Sequence, residues 1–268
     1  MTRRIKIILF IAIWLGLIAY LVLSLSYSAQ RADEVVCKRV SINITDSSDY
    51  RFVTPKIVRQ KLTQSGLMPL GIPMHSIDLH TLEQQVAQMM AVQEVQVYAS
   101  NDGVLRIDIK QRQPIVRIFN ANGVSYYVDS QGLIMPSMPN FTAHVLVVSG
   151  NIKEPFVPRA NVNVMHWNDS LQGNKRPLIC QLLELASHIV DDEFWRAQVE
   201  QIHVATPTDI RLIPTVGPHT ILLGSAEGYD RKLRKLRKFY SDALPHEGWN
   251  TYRTINLKYS NQIICTKW

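Results

Sequence analysis

The chain has 268 residues, 46% hydrophobic and 19% charged, with 29 Lys and Arg against 22 Asp and Glu for a formal net charge of +7. This composition excludes a mainly disordered chain, and 13 Pro with 12 Gly exclude a collagenous or Pro-rich repeat. The length allows one large or two smaller folded units. Three scattered cysteines, Cys37, Cys180 and Cys265, form neither a bridge-dense scaffold nor a CxxC pair.

Ile7 to Tyr27 is a block of 21 residues without a charge. As a helix it would be about 32 Å long, matching a hydrocarbon core of about 30 Å. Arg3, Arg4 and Lys6 precede it, and no acid occurs before Asp33. The positive-inside bias therefore predicts a cytoplasmic tail at 1–6 and a single transmembrane helix at 7–27, with the remainder outside. Trp14 falls mid-span and Tyr27 near the far interface. A cleaved signal peptide is the competing reading, but its apolar region is usually about 7 to 15 residues. Setting aside the three leading cations leaves 26 Lys and Arg against 22 acids, a mild +4.

Val40, Ile42 and Ile44 alternate with polar residues as a half-buried strand does. Thr54-Pro55 then starts a helix carrying Ile57, Val58 and Leu62, and Gly66 ends it. Ser76 and Asp78 precede a second helix through Leu79, Leu82, Val86 and Met89/Met90. Val95 and Val97 begin a strand, and Asn101-Asp102-Gly103 turns the chain into the alternating Leu105, Ile107, Ile109. This β-α-α-β-β order predicts a small sheet with two helices on one face, bounded near Pro114.

Beyond Pro114, strands are expected at 115–119, 125–128, 145–148, 199–204, 210–213 and 220–223. Leu178, Leu182, Leu185 and Ile189 make one helical stripe, and Leu233, Leu236 and Phe239/Tyr240 another within 228–242. Ile255, Leu257 and Tyr259 alternate as a closing strand that runs on to Ile264. The expected architecture is a curved, mainly antiparallel sheet with flanking helices.

No local catalytic motif appears. His75, Asp78 and His80 surround a helix start without metal-ligand spacing, and Asp78 reads better as a cap. GxSxG and phosphate-loop patterns are absent. These gaps favour a binding module over an enzyme and point to no cofactor. The run Arg231 to Lys238 places six cations around two leucines, giving a helix with a positive solvent face. Such a face suits an acidic protein segment or anionic headgroups, while the predicted topology disfavours nucleic acid. A terminal strand beside it offers unpaired backbone groups for β-addition.

Taken together, these elements resemble the bacterial cell-division family FtsQ/DivIB over nearly the entire chain. The most specific piece is Val92-Gln93-Glu94-Val95-Gln96-Val97 with the run Leu105 to Ile115, which is similar to the family's passage into its β domain. Tyr127-Val128-Asp129-Ser130-Gln131-Gly132 resembles an early hairpin, and Ile255-Asn256-Leu257-Lys258-Tyr259 its closing strand. Met90-Ala91 stands where a Pro-Trp pair is common, Asn256 and Lys258 stand for Asp and Arg, and Gln262 for a Gly. The resemblance implies a POTRA domain at 35–113 and a β domain at 114–268, anchored in the inner membrane and periplasmic at the septum. It implies a noncatalytic divisome scaffold that binds single-span coiled-coil partners, FtsB and FtsL, and helps regulate septal peptidoglycan synthesis. The partner-binding candidates are Arg234, Arg237, Tyr252, Lys258, Tyr259 and Gln262. A POTRA-type assembly chaperone and an anchored periplasmic enzyme are the alternatives.

Overall fold

The computed structural model describes residues 10, 12–24, 35–100, 102–154, 156–157, 159, 161–167 and 176–268. Residues 12–24 are helical with exposed side chains, Trp14 among them. Among the described residues no helix is long and apolar enough to cross a membrane. The ends of the predicted span, Ile7 and Tyr27, lie outside the described residues. The chain divides into two units. One takes Met1–Ser47, Val53–Ala87 and Val92–Lys110; the other takes Ser48–Phe52, Gln88–Ala91 and Gln111–Trp268.

In the first unit, β1 (Arg39–Ile44), β2 (Val92–Ala99) and β3 (Val104–Gln111) form a sheet in the order β1-β3-β2, with β1 parallel to β3. Helix α1 (Pro55–Gln64) begins where the Thr54 hydroxyl accepts from the Ile57 N–H, leaving Pro55 at a position needing no donor. It ends in a Schellman motif: Gly66, at φ +69°, donates to Thr63 and Leu67 donates to Leu62. Helix α2 (Leu79–Ala87) is capped by Asp78, which accepts from the Thr81 N–H at 3.0 Å and its hydroxyl at 2.6 Å. It stops short of Met89/Met90, which lie in a turn. Val58, Leu62, Leu82 and Val86 from the helices and Leu105, Ile107 and Ile109 from β3 are buried, so the alternation seen in the sequence builds this unit's core.

The second unit is a nine-stranded sheet in the order β12-β11-β10-β9-β8-β7-β4-β5-β6. In chain order the strands are β4 (Pro114–Phe119), β5 (Ser125–Asp129), β6 (Ile134–Pro136), β7 (Leu146–Gly150), β8 (Val199–Thr206), β9 (Asp209–Pro214), β10 (Thr220–Gly224), β11 (Tyr252–Asn256) and β12 (Ile264–Lys267). The helices are α3 (Leu178–Asp191), α4 (Glu193–Gln198), α5 (Tyr229–Asp242) and α6 (Leu244–Glu247). The sheet is mixed: β4–β7, β7–β8 and β10–β11 are parallel and the other five junctions antiparallel. With five of eight junctions antiparallel the sheet is mainly antiparallel, as expected, and its three parallel junctions are what the sequence reading did not anticipate. The cause is topological, since α3 and α4 carry the chain from β7 to β8, and α5 and α6 from β10 to β11; such helical crossovers return a strand in parallel.

Leu182, Leu185 and Ile189 of α3 and Leu233, Leu236 and Tyr240 of α5 bury into one core with Val148, Ile202, Leu212, Ile221 and Ile255. On the side of β5, the Arg112 guanidinium meets Asp129 at 2.8 Å with both side chains almost wholly buried. The other oxygen of Asp129 accepts from the N–H groups of Gln131 (2.9 Å) and Leu133 (2.8 Å). Gly132 completes that turn at φ +84°, where a Cβ would lie 2.6 Å from the Asn163 side chain. The hairpin sequence Val128 to Gly132 is therefore a carboxylate-organised turn locked by a buried cation.

Candidate partner-binding edge

The two ends of the large sheet differ. At the β6 end, Ile134 donates to the Val162 carbonyl at 3.1 Å and Leu133 bridges Asn163, so chain from the same unit covers the edge. At the other end, among the described residues, β12 pairs only with β11, in antiparallel register from Tyr252↔Lys267 to Asn256↔Ile264. Alternate residues of an antiparallel edge strand direct their N–H and C=O groups away from the neighbour. Ile264 is 41% and Trp268 71% exposed along this edge.

The closing segment is not the single strand that the sequence predicts. Strand β11 ends at Asn256 and β12 starts at Ile264, so Lys258, Tyr259 and Gln262 lie in the intervening loop. Apolar alternation continues through Leu257, which is buried, but Asn256 Oδ1 accepts from the Lys258 N–H at 3.0 Å and turns the backbone. The Lys235 ammonium then takes the carbonyls of Tyr259 and Gln262, the latter at 3.4 Å, drawing both toward α5 and out of any ladder.

Helix α5 explains why the loop sits there. Gly228 caps it at φ +63°, Asp230 in its first turn complements the helix dipole, and Leu233, Leu236 and Tyr240 face the core. The six cations do not share one fate. Lys232 donates to the Ser225 carbonyl at 2.7 Å, and burial lowers its pKa. Lys235 is lowered for the same reason. Arg237 reaches Asp192 at 2.5 Å and lies 4.6 Å from the Phe194 ring centroid, clamping α5 to α4. Burial opposes ionisation of Asp192, but the Trp195 N–H and then Arg237 hold its carboxyl below the usual range. Arg234 is open, its guanidinium resting on Asp230 at 2.8 Å with a side chain 73% exposed. Half of the predicted positive face is therefore internal bracing.

Of the six candidates, Arg234, Lys258, Tyr259 and Gln262 are exposed on the loop and helix beside β12. Arg237 is engaged by α4, which the sequence did not signal. Lys258 meets Asp209 of β9 at 3.2 Å; Arg211 first, and Lys258 after it, hold that carboxyl low against the effect of burial. Tyr252 packs half-buried against Phe239, ring centroids 5.9 Å apart. Missed by the sequence reading, Ile264 and Trp268 are the large apolar side chains on the edge itself. The sequence signal for them, apolar Ile264 and aromatic Trp268, is masked by the apolar alternation that continues through Leu257 and Tyr259.

An open groove of about 330 Å³ runs between α5 and the loop, lined by Lys235, Lys238, Phe239, Ala243, Gln262 and Ile263. The family model described as FtsQ/DivIB, C-terminal related, matches residues 113–266, the whole of the large sheet up to its edge. The chain belongs to the FtsQ/DivIB family. A POTRA-like domain matches residues 35–110. Among known proteins, the cell division protein FtsQ of Rhodothermus marinus is 25% identical over 211 residues, 76% of this chain and 71% of that protein. The FtsQ of Geotalea daltonii is 25% identical over 210 residues, 78% and 70% of the two chains.

Proposed function

We propose that this chain is a noncatalytic scaffold of the cell-division machinery, anchored by residues 7–27 in the inner membrane with its N-terminus cytoplasmic. In this reading residues 35–113 form a POTRA domain and residues 114–268 a β domain, both periplasmic at the septum. The β domain captures FtsB-like and FtsL-like coiled-coil partners and so helps regulate septal peptidoglycan synthesis. The observation that carries the reading is the open edge at β12, set beside α5 in a sheet whose opposite edge is covered. A partner segment adds a strand to β12 through backbone hydrogen bonds, and Ile264, Trp268 and Tyr259 supply apolar contact. Arg234 and Gln262 flank the strand as polar contacts, with Arg234 setting orientation for an acidic residue.

Two variants of the full chain test this. Removal of residues 264–268 should abolish co-purification of FtsB-like and FtsL-like partners while leaving the rest of the fold intact by circular dichroism. A photo-crosslinker at Tyr259 should trap the FtsB-like partner. Undiminished capture by the folded truncation would refute β-addition at this edge.

A further inference from the structure

Among the described residues of the first unit, outside residues 10–24, four large apolar side chains are exposed: Val36, Leu70, Ile72 and Tyr98. Tyr98 has a polar use, since its hydroxyl donates to Asp108 at 2.9 Å. The other three meet at one end of the unit. Pro69 to Ile72 is a β-turn closed by the Ile72 N–H on the Pro69 carbonyl at 3.2 Å, with Gly71 at φ +79° in its third position. That geometry is ordinary for a turn, whereas its chemistry is not: turn tips normally carry polar residues, and here Leu70 and Ile72 bracket the glycine at 51% and 42% exposure. Backbone bonds fasten the turn to the start of the unit, from Cys37 N to Ile72 O (2.9 Å), Gly71 N to Cys37 O (2.8 Å) and Met74 N to Val35 O (2.9 Å). Val36 thus joins the patch, with exposed Lys38 and Arg39 next to it in sequence. Asp102 approaches the same end, where Lys38 donates to Gly103 at 2.8 Å, and spends one carboxylate oxygen on the Val104 N–H.

We propose that this apolar turn is a membrane-surface contact, with Leu70, Ile72 and Val36 entering the lipid headgroup–acyl boundary and Lys38 and Arg39 meeting anionic headgroups. The inference rests on the reading of 7–27 as a membrane span. Only seven residues, 28–34, separate Tyr27 from Val35, which immediately precedes Val36 of the patch. Fully extended they reach about 25 Å, so the patch is held close to the bilayer whatever path the linker takes. At that proximity, burying the exposed parts of three apolar side chains favours docked over undocked states by on the order of 10- to 100-fold. The bilayer contact orients the unit as well as tethering it, because backbone bonds fix the turn to Val35 and Cys37, which lead directly into β1, and it cannot swivel independently.

The test uses the full chain with Cys265→Ser, Cys37 and Cys180 being buried, in vesicles of phosphatidylethanolamine and phosphatidylglycerol. An environment-sensitive fluorophore is placed in turn on Leu70→Cys, Leu15→Cys and Ser47→Cys, and quenched by a nitroxide on the lipids. Ser47 lies beyond the far end of β1, about 20 Å along the strand. Quenching at position 70 should exceed that at 47 by at least about threefold and fall to the level of 47 when Val36→Glu and Ile72→Glu are added. Quenching at 15 with none above the Ser47 level at 70 overturns the contact and leaves the span standing, as would be found if the patch binds a protein instead. Absence of quenching at both 15 and 70 overturns both. Persistence at 70 despite the two glutamates also overturns the contact.

Discussion

Replacing Asp129 with alanine should destabilise the large-sheet unit more than replacing its partner Arg112. The pair meets at 2.8 Å with side chains only 9% and 5% exposed, so solvent screens it little. Breaking such a pair from one side costs about 3–5 kcal/mol, because a buried charge is left uncompensated. Arg112→Ala leaves Asp129 with two backbone N–H donors, at 2.9 and 2.8 Å, which places this variant near the lower end, about 3 kcal/mol. Asp129→Ala leaves the buried guanidinium its Nε bond to the Met90 carbonyl at 3.3 Å but no counter-charge on that side, and it also releases the Gln131 and Leu133 N–H groups, so about 4–5 kcal/mol is expected. Asp129→Asn retains an oxygen for the turn and should lie closer to Arg112→Ala. For a unit of this size each kcal/mol lowers the midpoint by about 2–4 °C. The assay is urea unfolding of the full chain in detergent, followed by tryptophan fluorescence, to which Trp195, buried in the same unit, contributes. A double-mutant cycle should return a coupling above about 1.5 kcal/mol. Coupling within about 0.5 kcal/mol of zero, or Arg112→Ala the costlier change, would refute the reasoning.

Gly150→Ala should cost on the order of 3 kcal/mol or more, since a Cβ there, at φ +112°, would lie 2.2 Å from the Val204 carbonyl oxygen and force β7 from β8; thermal unfolding reads this directly. Arg237→Ala should lower stability by about 1 kcal/mol, discounted because its side chain is 43% exposed. Arg234→Glu, by contrast, should leave stability within about 0.5 kcal/mol while weakening partner capture, as melts and co-purification on the same samples would show. Burial pushes the pKa of His219 down, a backbone bond to Trp249 opposing in part, and its Nε2 sits 2.7 Å from the Tyr240 hydroxyl. The unfolded chain therefore takes up this proton first as pH falls. The associated stability is present above about pH 6.5 and is lost as pH falls below it toward the folded-state pKa. His219→Gln should flatten the dependence of the urea midpoint between about pH 7 and 5, and an unchanged slope would count against the assignment.

Much of the fold was legible because local rules decide it. Thr54-Pro55, Asp78 and Gly66 mark helix ends through single side chains or a single backbone angle, and the alternation at Leu105, Ile107 and Ile109 leaves a half-buried strand little choice of register. Strand direction was harder, since alternation is the same in parallel and antiparallel pairs; only the strand–helix–strand order around α3 and α5 carried that information. Short elements escaped for lack of periods: β6 has three residues and α6 four. At the candidate site the failure had one cause. Lys235, Arg237 and Lys258 read as solvent charges because their partners, the Tyr259 carbonyl, Asp192 and Asp209, are 24, 45 and 49 residues away in sequence. A charged run reveals composition, whereas the fold decides which of its members remain available to a partner.

The inequality of the two sheet ends sets a stoichiometry. A sheet with two open edges would polymerise, each added strand offering a site for the next copy. Here Val162 covers the β6 end, which leaves β12 as the end open to the proposed addition. One added strand makes a ten-stranded sheet whose new outer edge belongs to the newcomer. Under the proposed β-addition, whether assembly then halts or continues is written in the partner's sequence.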